Sequence, residues 1–187
     1  EIGTLQPVKE IGRALDEWKR DFGRTFTSFP YFHTDACQAA NYCNLDVLRL
    51  KVHLMTVNSS KVYGPKGVAL LYKREGVRLE ALILGGGQER GLRSGTEQVA
   101  LAYAFGVALE DAEKIREVES IRLRELRDYG VAKLAKEIPS VIFYGAHDMY
   151  DMHTGDKRLK EEKRLPNNIN CRVPGITSEE MILRLDA

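Results

Sequence analysis

The stretch Leu54-Met55-Thr56-Val57-Asn58-Ser59-Ser60-Lys61-Val62-Tyr63-Gly64-Pro65-Lys66-Gly67-Val68-Ala69-Leu70-Leu71-Tyr72 decides how the chain is read. Its two apolar runs, 54–57 and 68–72, have the length of buried strands, and Gly64-Pro65 between them marks a tight turn. Lys61 falls at the end of the first strand, after small hydroxyl residues. A lysine placed there can be held partly out of water. Desolvation disfavours the ammonium form, lowers the pKa from its reference of about 10.4, and frees the amine to attack a carbonyl. A Schiff-base lysine needs that environment. A lone loop lysine is ordinarily solvated, so the reading depends on its surroundings.

Working outward, helices and strands alternate. Gln6-Pro7 followed by Val8, Ile11, Leu15 and Trp18 predicts an amphipathic helix with proline at its start. A short strand is expected from Pro30 to Thr34, ending at Asp35, then a helical turn over 46–50 and strands over 53–57 and 68–73. Ser94 and Glu97 have capping-box spacing. A long helix should follow, with Leu101, Phe105, Leu109, Ala112, Ile115 and Val118 on its apolar face. The character changes near Tyr129. Helix-like 131–138, strands at 141–144 and 169–173, and a short helix capped by Thr177 or Ser178 follow. Between the strands, 147–164 is polar and charge-rich and predicts a surface loop. The pattern implies an α/β sheet, parallel at least in part. The boundary is expected at 128/129, with a larger domain over 1–128 and an incomplete smaller one over 129–187.

The 187 residues include 28 basic and 27 acidic side chains, for a net charge of +1. Such a balance implies neither a nucleic-acid partner nor a membrane field. No run approaches the roughly 18 apolar residues of a membrane span, and no secretory core begins the chain. Three scattered cysteines, Cys37, Cys43 and Cys171, suit a reducing compartment better than a disulfide scaffold, so a cytoplasmic location is expected.

Three blocks in order carry a resemblance. They are Phe32-His33-Thr34-Asp35-Ala36-Cys37-Gln38-Ala39-Ala40, then Ser60-Lys61-Val62-Tyr63-Gly64-Pro65-Lys66-Gly67, then Gly85-Gly86-Gly87-Gln88-Glu89-Arg90-Gly91-Leu92-Arg93-Ser94-Gly95-Thr96-Glu97. Together they resemble the NifS/IscS-type cysteine desulfurases, pyridoxal-phosphate (PLP) enzymes of the class V aminotransferase group. The resemblance implies part of a fold-type I large domain, with a mixed, mostly parallel sheet, followed by an incomplete small α+β domain. It also implies that the first half of the large domain precedes residue 1 and that the catalytic cysteine lies beyond Ala187. The chain by itself is then expected not to complete the reaction.

Residue by residue, the resemblance makes Lys61 the cofactor-bearing lysine and Asp35 the carboxylate partner of the ring nitrogen. Gln38 would bond the phenolic oxygen. Asn58 and Ser60 stand where the family usually has a serine and a histidine on the phosphate, so a possible imidazolium charge is lost. Thr96 would reach the phosphate of the partner subunit's cofactor, which makes the expected assembly a homodimer. The substrate implied is L-cysteine, giving alanine and a persulfide. A sulfur acceptor or iron–sulfur scaffold would then be a partner, feeding cluster assembly or tRNA thiolation. A selenocysteine lyase, another class V aminotransferase, and a non-catalytic fragment serving dimerisation or docking are the alternatives.

Simpler readings stand beside these. Asp35 could cap a helix over 36–40. His33 shares a face with Asp35 at strand period two, either supporting the site or serving as a satisfied core histidine. Cys37 reads as small-residue packing rather than a nucleophile. His147 and His153 lack metal-ligand spacing, and no protein metal site is assigned.

Overall fold

The computed structural model of the chain describes residues 2–145 and 164–186. Most of the polar segment expected to form a loop therefore lies outside the described residues. Arg164, its last member, is buried instead.

Two compact units form, 7–116 and a second made of 1–6 with 117–187. In the first, α1 (Val8–Asp21), β1 (His33–Asp35), the single turn α2 (Val47–Leu50), β2 (Leu54–Asn58) and β3 (Ala69–Lys73) lead to the start of α3 (Val99–Glu137). The sheet order is β1-β2-β3. β1 runs parallel to β2, with Asp35 beside Thr56. β3 returns antiparallel, with Thr56 beside Leu71, so the sheet is mixed. Period two sets the faces of β2. Met55 and Val57 are buried, and with Val52, Val62, Ala36, Ala40, Phe105 and Ala112 they form the core. Asp46 caps α2 by accepting from the backbone N–H groups of Leu48 and Arg49.

The apolar faces depart from the predicted stripes. In α1, Ile11 and Trp18 are exposed, whereas Gly12 and Lys19 are buried. Gly12 is the cause: a Cβ there would collide with the Leu50 carbonyl. Its absence lets the helix approach closely and turns the stripe containing residues 12 and 19 inward. In α3, Phe105 and Ala112 are buried as expected, but Ile115 and Val118 are exposed.

Lys19 is fully buried without a carboxylate partner at its amine. Its Nζ lies 2.7 Å from the Phe26 carbonyl, 2.6 Å from that of Ser28 and 2.9 Å from His53 Nε2. His53 Nδ1 accepts from the Phe32 N–H at 2.9 Å, so the ring hydrogen belongs on Nε2. The Nε2–H group donates to the Phe26 carbonyl at 2.7 Å, an oxygen that it shares with Lys19 Nζ. Burial pushes the pKa of Lys19 down, opposed by nearby Asp16 and aided by Arg24. Burial likewise lowers that of His53.

The second unit holds α3 from residue 117 onward, β4 (Ile142–Phe143), β5 (Cys171–Arg172) and α4 (Ser178–Asp186). β4 and β5 pair antiparallel and are shorter than the strands predicted there. Thr177 Oγ1 accepts from Glu180 N at 3.1 Å, which identifies the cap of α4 as Thr177. Residue 129, the expected boundary, falls within continuous α3, while the units divide at 116/117 and take the first six residues into the second. No described helix is long and apolar enough to cross a membrane. No described group of three or more His, Cys, Asp or Glu side chains could hold a metal ion.

Candidate functional site

Asp35 ends β1, and Lys61 follows the end of β2 by three residues. Both therefore stand at the carboxyl ends of neighbouring parallel strands, where open α/β sheets bind ligands. His33, Asp35, Thr56 and Asn58 occupy one face of the sheet, opposite the buried Met55 and Val57.

The Asp35 carboxylate accepts from the Cys37 N–H at 2.9 Å. Residues 37–42 form hydrogen-bonded turns rather than the helix considered from sequence, so Asp35 closes a local turn and does not cap a helix. Hydrogen bonds from Cys37, aided by the charge of His33, hold the carboxyl below its ordinary pKa, so it is ionised at neutral pH. Cys37 is half-buried beside it. Burial, with the neighbouring carboxylate, pushes the thiol up to about 11, opposed by the Asn58 backbone and by the charge of Lys61. The thiol is thus protonated and no nucleophile; its Sγ lies 3.9 Å from the Thr56 carbonyl.

Lys61 is carried on a 3-10 turn, Ser59–Val62. Asn58 caps that turn, its Oδ1 accepting from Ser60 N at 2.8 Å and from Ser60 Oγ at 2.6 Å. Tyr63 ends it in the left-handed region at φ 61°, and Gly64 N donates back to the Ser59 carbonyl at 3.0 Å. Val62 is buried while Lys61 and Ser60 are exposed, so the turn anchors one side chain in the core and presents the amine outward to solvent, where the sequence predicts it partly out of water. The Ser60 hydroxyl proton is spent within the turn. The N–H pair of the Asn58 amide remains as a neutral donor, in place of the two phosphate donors expected from sequence. Gly64 cannot carry a side chain: a Cβ would strike Ser59 Oγ and lie 3.1 Å from Ala108 Cβ. Gly64→Ala is expected to cost about 2 kcal/mol by overpacking, read as a lower chemical-denaturation midpoint with an unchanged slope.

Gln38 is exposed in the turn after Asp35, three residues along. Thr96 is exposed on the segment before α3 and has no hydrogen bond to Asp35 or Lys61. The predicted capping box does not form. α3 starts at Val99, and Ser94 is buried in the preceding loop, where its hydroxyl accepts from Gly87 N at 3.4 Å. His33 is exposed, with Nε2 2.8 Å from Thr56 Oγ1, so the core-histidine reading fails for it and applies to His53. Sequence reasoning passed over Asn41, Ser59 and Thr56. Asn41 carries no motif signal. Ser59, fully buried with an unpartnered hydroxyl, was read only as a small residue.

The donor set suits a charged aromatic aldehyde. It offers an exposed amine, an ionised carboxylate for a protonated ring nitrogen, and an amide with free N–H groups for an anionic arm.

The geometry defines a lysine-centred site on an α/β sheet, and the chain belongs to the aminotransferase class-V family, which matches residues 1–154. Among curated relatives, cysteine desulfurase IscS of Clostridium botulinum is 38% identical over 186 residues, covering 100% of this chain and 41% of that protein. Cysteine desulfurase IscS 1 of Archaeoglobus fulgidus is 39% identical, covering 100% and 42%. A solved NifS-like protein superposes with a TM-score of 0.80 at 28% identity, covering 100% of this chain and 44% of its own. The chain thus spans about two fifths of the length of the proteins it matches.

Proposed function

We propose that this chain is the lysine-bearing portion of a PLP-dependent cysteine desulfurase, which removes sulfur from L-cysteine to leave L-alanine and a protein persulfide. The observation that carries the reading is the placement of ionised Asp35 at the end of β1 and of Lys61 just past the end of the parallel neighbour β2. The names of the relatives support the substrate, and those called IscS support delivery to iron–sulfur clusters or tRNA thiolation through a sulfur acceptor.

Bound PLP would supply an electron-withdrawing ring that lets a substrate C–H ionise. Lys61 Nζ contributes the amine that attaches the cofactor and afterwards takes and returns the substrate proton. The Asp35 carboxylate keeps a proton on the ring nitrogen by pairing with it. Asn58 Nδ2 offers a neutral hydrogen bond to the phosphate, and Gln38 is assigned to the phenolic oxygen. Thr96, remote from this cluster's bonds, is assigned to the partner subunit's cofactor in a cytoplasmic homodimer.

Incubation with PLP, borohydride reduction and peptide mass spectrometry test the reading. A label concentrated on Lys61 is the expected result. A label spread over surface lysines, or none, would overturn it in favour of a non-catalytic role in dimerisation or docking.

A further inference from the structure

We propose that Asn41 is a positioning residue for Lys61, holding the lysine turn in the geometry that presents the amine; the proposal rests on Lys61 being the cofactor lysine. Asn41 is buried at 8% exposure and follows the core residue Ala40 in the chain. Its Nδ2 donates to the Lys61 carbonyl at 2.5 Å, across 20 residues of sequence.

Asn58 holds the start of the lysine turn, the Gly64 N–H bonds the Ser59 carbonyl across it, the Ser59 N–H donates to the Val68 carbonyl at 3.1 Å, and Asn41 holds Lys61 itself. The Ser59–Val68 bond ties the turn to the residue that leads into β3, whereas the Asn41 bond reaches Lys61 from the turn that begins at Asp35. It therefore couples the carboxylate-bearing segment to the amine-bearing one. A 3-10 turn has poorer hydrogen-bond geometry than an α-helix and needs such outside support. A buried carbonyl left without its donor costs free energy, which the turn would relieve by opening. Opening would move the backbone that carries Nζ relative to Asp35, and misplacement by even an ångström weakens a reaction that depends on orientation.

The test compares wild type with Asn41→Ala, Asn41→Asp and Asn41→Ser by two readouts. Hydrogen exchange at the Gly64 amide reports the turn, with the Ala36 amide, bonded to the Thr56 carbonyl, as internal reference. Loss of one hydrogen bond predicts exchange about fivefold faster at Gly64 in the alanine variant, with Ala36 unchanged. Asn41→Asp, which replaces a donor with an acceptor facing a carbonyl, should be worse, and Asn41→Ser should recover part of the protection. The second readout is the rate of PLP labelling at Lys61, which should fall in the same order, with the selectivity for Lys61 over surface lysines falling too. Equal acceleration at Gly64 and Ala36 would mean a general loss of stability and overturn the proposal. So would unchanged labelling with an opened turn. Absence of Lys61 labelling in the wild type would instead sink the cofactor reading, and the exchange data would still decide whether Asn41 holds the turn.

Discussion

Lys61→Ala is expected to abolish PLP labelling, reducing it by at least about 100-fold, because among the described residues no other lysine is carried on the turn that follows β2. Lys61→Arg should fail as completely, since a guanidinium keeps the charge but stays protonated and cannot attack a carbonyl. That pair separates nucleophilicity from electrostatic attraction. Lys61 is exposed, and its side chain contributes nothing to the core. Both variants should therefore unfold within about 0.5 kcal/mol of wild type, so lost labelling would not reflect lost structure. Asp35→Asn gives the complementary result. The amide oxygen can still accept from Cys37 N, preserving the turn, while the charge that would hold the ring nitrogen protonated disappears. The absorbance of bound PLP should then shift and become pH-dependent near neutrality. Residual labelling in Lys61→Ala comparable to wild type would refute the assignment.

Lys19→Ala is the second large effect, on stability. It removes a fully buried stem and leaves the Ser28 carbonyl without its donor, while the Phe26 carbonyl keeps His53 Nε2–H at 2.7 Å. A cavity and an unpaired polar group together should cost on the order of 3 kcal/mol. Lys19→Met fills the cavity but still strands the Ser28 carbonyl, so an intermediate loss is expected.

The charge state adds a pH signature. The native pKa lies below the ordinary 10.5, so between the two values the unfolded chain binds more protons and stability rises with pH. The slope is at most about 1.4 kcal/mol per pH unit. Groups facing the amine are Asp16, itself bonded to Lys51, together with Arg24 and His53; Arg74 lies over the Phe26 ring. His53, with its pKa lowered, adds stability that is lost as pH falls below about 6.5. Cys37 and Cys43 act in the opposite sense above about pH 9, since their raised native pKa values favour the protonated folded state there. Denaturation of wild type and Lys19→Met as pH rises toward 10.5 isolates the lysine, since the cysteine contributions are common to both. Wild type should gain stability relative to Lys19→Met over that rise. Parallel curves for the two proteins would show that folding leaves the Lys19 pKa unchanged.

Much of the site was legible in the chain. Strand-like runs flanking Lys61, the Gly64-Pro65 turn and the position of Asp35 after an apolar segment follow from local preferences, and the structure places them as read. Cap chemistry was also local: Asp46 and Thr177 each lie beside the amides they satisfy. The capping box at Ser94 and Glu97 had the right spacing and still failed, because Ser94 bonds into its own loop and the helix begins later.

What required the tertiary structure were contacts between residues far apart in sequence. The inward face of α1 is set by the close approach of Gly12 to Leu50, not by its own apolar period. The burial of Lys19 depends on carbonyls 7 and 9 residues away and on His53, 34 residues away. The Asn41 bond to Lys61 spans 20 residues between two segments that the parallel strands bring side by side. Periodicity and turn chemistry act over a few residues. Which polar atoms meet in the interior is settled only once the packed chain has excluded water from them.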